Sequence, residues 1–592
     1  MPVDQKPVIY QLVVRYFGNI NQTNQVDGPI NVNGCGKFED VNDAALASLK
    51  GLGVTHVWLT GMLRQATLTG YDVLGLPADN PNIVKGLAGS FYAVRDYFDV
   101  CPDYAVDPGR RLQEFEAMVA RVHAAGMKAI VDFVPNHVAR SYDSVVRPDL
   151  SFGDDDDQSA LFSPKNHFFY LVDPPGRPLC LTNPGWHPAG VEFDGCFPPE
   201  DGSPGHTPKA SGDVFSQTPP PTSWYEVVKL NYGYNPIDDT AHYDPIPPTW
   251  QAVDEILAFW QSKGVDGFRC DMAHLIPAEA WRYLIGNARS QGRDPDAYFL
   301  AEAYPGYNAN EPVQTRGQLI DAGFNALYHA NSFHCLRHVY KGWEGPDDYH
   351  NVINILSTQE RDAAAEYLEN HDECRVAAAV EDNGCGSMSA NYHLAPLQYL
   401  CSSGPLIMLN GQEVGEAGSG HEGFHQTSGR STFFDYWCMP EFVKWVNGHA
   451  YDGGRLSNEQ KELRHYFGDL FALCQDPSIR ASGYWGLRYY NRADRFDDCP
   501  DSFYSFARFE QGSGRLLLVV SNFGIDGCQG IARLPQELIE AAGLRDDVRV
   551  RRVLTDHGAV DDFVMQTASR ALAITGVPVS FPGRVTYVYA VE

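Results

Sequence analysis

The sequence predicts an α/β protein: a closed (β/α)8 TIM barrel, an irregular domain inserted after its third strand, and a C-terminal antiparallel β-sandwich. Three observations predict it. A unit of amphipathic helix, glycine stop and fully apolar strand recurs between Val8 and Leu409. One gap between strands is several times longer than such a unit needs. After about Ser482 the texture changes to short strands parted by turns.

The first strand, Val8-Ile9-Tyr10-Gln11-Leu12-Val13-Val14, is a buried run rather than an alternating one, as a strand covered on both faces requires. A helical face of Leu46, Leu49 and Leu52 follows, then Gly53 and a strand at 54–59. The unit repeats with Leu112, Phe115, Val119 and Val122, Gly126, and a strand at 128–134. A third copy has Val253, Ile256, Leu257 and Trp260, then Gly264 and a strand running to Asp271. Further strands fall at 298–301, 365–368 and 405–409, with a weaker one near 324–327. Helix, glycine C-cap and apolar strand in this order describe a parallel sheet with helices outside it. Eight such strands suit a closed barrel. A doubly wound open sheet is the alternative, but no GxGxxG motif follows the first strand.

One βα unit takes roughly 30 residues, the spacing that separates Asp271 from Glu302, while Glu302 to Asp372 spans two units. The stretch before Val265 is far longer. This places an insert at 139–232, rich in Pro, Gly and Asp, between barrel segments 1–138 and 233–480. Loops after barrel strands lie on the catalytic face, and so should the insert. Its run Asp154-Asp155-Asp156-Asp157 lacks the alternating ligands and turn glycine of a calcium loop and reads as a solvated acidic segment. Past a helix near 458–474, strands at 486–490, 516–520, 548–554 and an alternating one at 585–591 form the domain at 481–592. Its role is not legible.

Composition limits the partners. A net charge of −30 argues against nucleic acid and anionic membrane, both of which need a basic surface. Aromatic residues make up 12% of the chain, which suits stacking on the rings of a neutral sugar. The 13 cysteines show no CxxC pair and are odd in number, so reduced thiols are the simpler account. The N-terminal segment lacks a signal-peptide pattern and no run reaches membrane-spanning length, so we expect a cytoplasmic protein. Oligomeric state is not legible.

In Gly264-Val265-Asp266-Gly267-Phe268-Arg269-Cys270-Asp271 an arginine precedes an aspartate by two positions, so both project to one face of the strand. A structural ion pair is one reading. The other is functional, and the neighbouring strands favour it. Asp132-Phe133-Val134-Pro135-Asn136-His137, Ala301-Glu302-Ala303 and Glu369-Asn370-His371-Asp372 also end apolar strands on polar groups. Carboxylates and imidazoles gathered at the C-terminal rim of a barrel form a catalytic arrangement. Two carboxylates flanking one bond are the apparatus of glycoside hydrolysis. Arg269 argues that Asp271 stays anionic as the nucleophile, and Glu302, with no cation adjacent in sequence, is the better acid.

These four segments resemble, in order, the four signature regions of the α-amylase family of retaining glycoside hydrolases and related transglycosylases, and Lys229-Leu230-Asn231 resembles a fifth. The resemblance implies a covalent intermediate on Asp271, with Glu302 as acid and base and Asp372 binding hydroxyls of the distorted sugar. It implies that Arg269 orients the nucleophile and that His137 and His371 bind the same sugar. Asp132 would be structural, and Asn136 structural or calcium-linked. Tyr92, in Gly89-Ser90-Phe91-Tyr92-Ala93, matches the family's stacking tyrosine, with a core aromatic as the alternative. His274 would face the leaving group. Two departures limit the transfer: Ala93 stands where exo-acting members carry Asp, and Met272-Ala273-His274 replaces the Lys-His pair of secreted amylases. The second counts against their calcium site, and no cofactor is otherwise required. The resulting expectation is hydrolysis of α-1,4 bonds in maltodextrin, starch or glycogen. A glucosyl or maltosyl transferase or a sugar isomerase of the same family is the alternative, and a non-catalytic carbohydrate-binding protein a more distant one.

Overall fold

Eight parallel strands close into a barrel: β1 (Val8–Val13), β2 (His56–Thr60), β3 (Lys128–Phe133), β4 (Gly267–Cys270), β5 (Tyr298–Ala301), β6 (Ala326–Tyr328), β7 (Ala364–Tyr367) and β8 (Leu406–Leu409). Each pairs with its neighbours in chain order, and β8 closes onto β1. The structure is a computed structural model that describes residues 5–185, 187–304, 313–381, 383–422, 428–559 and 563–592.

Side-chain alternation explains how the barrel builds a site. Ile9, Trp58, Ile130, Leu300, Ala326, Ala365 and Ile407 share one apolar cluster inside it. Two residues further along, toward the C-terminal rim, the same faces carry Gln11, Thr60, Asp132 and Glu302. Strand register completes the ring, because Arg269 on β4 lies opposite Asp132 on β3 and Leu300 on β5. An apolar plug thus supports a polar floor.

The outer helices follow from their apolar stripes. Asp43–Leu52 buries Leu46, Leu49 and Leu52, is capped by the Asn42 side chain accepting from Ala45 N–H, and ends at Gly53, whose φ of 104° only glycine adopts readily. Arg111–Ala124 buries Phe115, Val119 and Val122 with Leu112 half-buried, and Pro248–Ser262 buries Val253, Ile256, Leu257 and Trp260. The weak strand near 324–327 is β6, two residues later than its apolar residues suggest.

The insert is closed at its base by His137–Ala139 pairing antiparallel with Val227–Lys229. Inside it the regular helix is limited to single turns at Pro148–Leu150 and Pro198–Glu200 among the described residues. A fully buried ion pair, Arg140 to Glu200 at 2.5 Å, ties its two halves.

The C-terminal region forms a six-stranded antiparallel sheet backed by the pair Cys528–Ala532 and Val577–Phe581. Two expectations are corrected here. The strand placed at 486–490 is Gly483–Gly486, and Leu487 instead begins a turn that returns hydrogen bonds from Tyr490 and Asn491. Val585–Val591 has no solvent face, since all seven residues are buried. Its sheet packs on its own small partner sheet with one side and on the barrel with the other.

Candidate active site

Arg269 stands at the centre of the C-terminal rim and is fully buried. Its Nη1 donates to Asp271 Oδ1 at 2.8 Å, and its Nη2 makes an ion contact of 2.7 Å with Glu302 Oε1. Asp132 Oδ1 lies 3.6 Å from the same guanidinium. Trp58, Tyr92 and Tyr328 enclose it, their ring centroids 5.3, 5.4 and 5.5 Å from its Cζ. Asp132 is held in turn by Trp58 Nε1–H and by Gly61 N–H. Gly61 has φ 71°, and a Cβ there would meet the Phe91 ring at 2.4 Å, so glycine is required for that N–H to point inward.

Glu302 is fixed from the β4 side. Met272, at a φ of 45° unusual for a side chain, aims its N–H at Glu302 Oε2 at 2.8 Å, and Ala273 N–H bonds the Glu302 carbonyl. The chain after the nucleophile therefore holds the neighbouring acid. Glu302 has no cation beside it in sequence, but the fold supplies Arg269 to both carboxyls.

This changes the electrostatic expectation for Asp271. Burial and the Glu302 carboxyl, within hydrogen-bond reach, push the Asp271 carboxyl well above the usual range, outweighing Arg269. One guanidinium faces both buried carboxyls, so the ionisation of Asp271 is linked to its neighbour. Asp372 behaves oppositely. Burial alone would raise its carboxyl, but His371, Arg269 and Arg430 pull it down to about 2.

His371 joins Asp372 to the floor. Its Nε2 lies 2.9 Å from Asp372 Oδ2 and 2.6 Å from Tyr92 Oη, and its Nδ1 is 2.7 Å from Gln11 Nε2. Tyr92 stacks on the imidazole with centroids 5.1 Å apart. His137 reaches the Tyr92 backbone, and burial with Lys229 nearby pushes it down to about 3, so it is neutral. Asp271, Glu302, Asp372, Arg269, His371, Tyr92 and His137 thus form one continuous site. His274 stands behind it, fully buried, with Nδ1 3.4 Å from the Glu302 carbonyl oxygen.

Sequence reasoning missed Gln11, Trp58, Tyr328, Met272 and Phe433, the last packed 6.1 Å from the His371 ring. Gln11 had a signal: it is an amide within an otherwise apolar strand. Phe433 and Tyr328 are aromatics in ordinary apolar surroundings and carry none.

The residues near Asn136 do not fit a calcium ion. Asn136 Oδ1 accepts from the Lys229 ammonium, and Asn136 Nδ2 faces His137 and the Gly212 carbonyl. In the acidic run, Asp156 turns inward to accept from His167 and Phe168 N–H and from Tyr170 Oη–H. Among the described residues no group of three or more His, Cys, Asp or Glu is placed to hold a metal.

By sequence, the chain is 23% identical over 422 residues to alpha-amylase 3 of Dictyoglomus thermophilum, covering 68% of this chain and 66% of that protein. It is 24% identical over 437 residues to trehalose-6-phosphate hydrolase of Bacillus subtilis, covering 69% and 64%. The matched stretch therefore spans just under two thirds of the length of these relatives. Similar solved structures include trehalose-6-phosphate hydrolase of Bacillus licheniformis, at TM-score 0.61 and 15% identity over 100% of both chains. An alpha-amylase of Lactobacillus plantarum matches at TM-score 0.58 and 19% identity, over 97% of this chain and 98% of that one. The family described as "Alpha amylase, catalytic domain" matches residues 30–486. That match covers well over half of the sequence, and the chain belongs to the α-amylase family.

Proposed function

We propose that this protein is a retaining hydrolase of α-1,4-glucosidic bonds in maltodextrin-type α-glucans. The observation that carries the reading is a pair of buried carboxyls, Asp271 and Glu302, from adjacent barrel strands and held by one buried guanidinium. Nucleophile and acid require two carboxyls in the same pocket, one ionised and one protonated. Their closeness supports retention, since inverting pairs stand about 6.5–9.5 Å apart to admit a water.

Asp271 attacks the anomeric carbon while Glu302 protonates the departing oxygen, and Glu302 then takes a proton from the incoming water as the Asp271 ester is cleaved. Asp372, anionic at any pH above about 2, accepts hydroxyls of the distorted sugar together with His371. Tyr92 offers its ring, and neutral His137 an uncharged hydrogen-bonding edge. His274 is buried behind Glu302, and we assign it to positioning that residue rather than to sugar contact. A transferase shares the first half-reaction. A 96-residue stretch 33% identical to the alpha-1,4-glucan:maltose-1-phosphate maltosyltransferase of Cereibacter sphaeroides, covering 16% of this chain, favours keeping it as the second reading. Thirteen unpaired cysteines suit a reducing, cytoplasmic setting.

The test is incubation with maltooligosaccharides, with and without a sugar or phosphate acceptor, following products and their anomeric form. Hydrolysis with α-anomeric first products is expected. A β-anomeric first product would overturn retention, and products appearing only with acceptor would make the enzyme a transferase. Asp271→Asn should abolish turnover with the fold intact. Glu302→Gln should cost on the order of 10²–10⁴ on oligosaccharides and far less on activated aryl glycosides. Equal losses on both would place the acid elsewhere.

A further inference from the structure

The insert holds two thiols that the active site does not use. Cys180 and Cys196 are both exposed, whereas Cys374 and Cys528 are half-buried and the other cysteines buried. They face each other in an isolated antiparallel bridge. Leu181 N–H donates to the Gly195 carbonyl beside them, which makes the cysteines a non-hydrogen-bonded pair. In that register facing Cα atoms stand about 4.5 Å apart and both side chains leave on the same face of the ladder. A disulfide accepts Cα separations of about 4.4–6.8 Å. Each Sγ now rests 3.7 Å from a carbonyl of its own strand, Pro178 for Cys180 and Asp194 for Cys196, so rotation about Cα–Cβ is the movement needed.

The bridge is the neck of a loop, 181–195, that crosses to the barrel. Asn82, on the β2 loop that also carries Tyr92, accepts from Asp194 and Gly195 N–H and donates to the Cys196 carbonyl. At the far end Ala189 N–H donates to Asp27 on the loop after β1. On the other side of the neck, Leu179 and Cys180 N–H are held by the Glu200 and Gln217 carbonyls. The neck therefore joins the insert to the rim of the catalytic face.

We propose that Cys180 and Cys196 form a reversible disulfide that closes the neck of this loop. The oxidant is a small-molecule disulfide such as glutathione disulfide. One thiolate attacks it, giving a mixed disulfide and one glutathione; the facing thiolate then attacks the protein sulfur and releases the second. The protein loses two electrons and two protons, and one glutathione disulfide becomes two thiols.

The test uses the full-length protein in glutathione buffers of increasing oxidised fraction, followed by acid quench, alkylation and peptide mapping without reductant. A linked peptide containing Cys180 and Cys196 is expected, its fraction following the glutathione ratio. Cys180→Ser and Cys196→Ser, both at exposed positions, should each carry one glutathione and no link. Two free thiols in fully oxidising buffer, or two glutathiones on the wild type without a link, would overturn the proposal. Hydrogen exchange supplies the second readout: oxidation should slow exchange across 181–195 several-fold. Unchanged exchange in the linked protein would refute the closing of the neck as a restraint on the loop.

Discussion

Arg269 faces three carboxyls, of Asp132, Asp271 and Glu302, with a single fixed positive charge. Its planar fork reaches two of them at once, which a lysine ammonium cannot do with the same geometry. Removing a partner from such a buried group leaves uncompensated charge worth about 3–5 kcal/mol, and the carboxyls respond by keeping protons. The sign of the pH effect follows. Burial and Glu302 already raise Asp271, and Arg269 opposes them, so Arg269→Lys weakens that opposition and Arg269→Met removes it. The acid limb of kcat/KM, where the nucleophile must ionise, should move to higher pH in both variants and further in the methionine one. A limb that stays at its wild-type pH in Arg269→Met, with the protein folded by circular dichroism, would show that another group sets the ionisation of the pair.

At the scale of elements, a strand pair anchors the insert to the barrel. Lys229 lies on the closing strand and its ammonium meets the Asn136 side chain from the β3 loop, so the cation of this joint is covalently part of the chain. A chelator should leave the melting temperature unchanged, and added calcium should not raise it. Lys229→Met should lower stability by about 1–3 kcal/mol through the stranded Asn136 oxygen. A chelator-induced fall in melting temperature would contradict the first expectation. The elements themselves were largely legible, because helix stripes and apolar strands are local patterns. Gly264 is the glycine stop that the repeat predicts, its φ of 88° ending the preceding helix. The region around 486–490 misled because aromatic residues there fill a turn. The Val585–Val591 alternation pointed to a solvent face that the barrel covers. The site was legible in its carboxylates, which end strands. Contact between Arg269 and Glu302 was not, because it depends on the register between strands.

At the scale of the whole molecule, barrel and C-terminal sheet share one core. Tyr504, Phe506, Leu517, Val519, Val588 and Ala590, from one face of the sheet, belong to the apolar cluster that contains the barrel strands and helices. The interface also carries polar obligations. Arg508 is fully buried and donates to the carbonyls of Cys401, Ile479 and Ala481, with burial lowering its pKa to about 10. Thr586 Oγ1–H donates to the His393 carbonyl, and His393 Nε2 lies 2.8 Å from Ser521 Oγ. A barrel cut off at residue 480 would present this apolar face to water and leave the Cys401, Ile479 and His393 carbonyls without these donors. Each buried acceptor stranded in this way costs about 1–3 kcal/mol, which is a large share of a typical domain's stability. The intact chain should therefore unfold in one transition, with near-UV circular dichroism and residual activity falling together. Arg508→Met should shift both curves to lower temperature by the same amount, and residues 1–480 alone should not yield a soluble, cooperatively folded barrel. Two separated transitions in the intact protein, or a stable 1–480 fragment, would mean that the sheet is an appended domain rather than part of the core that holds the site.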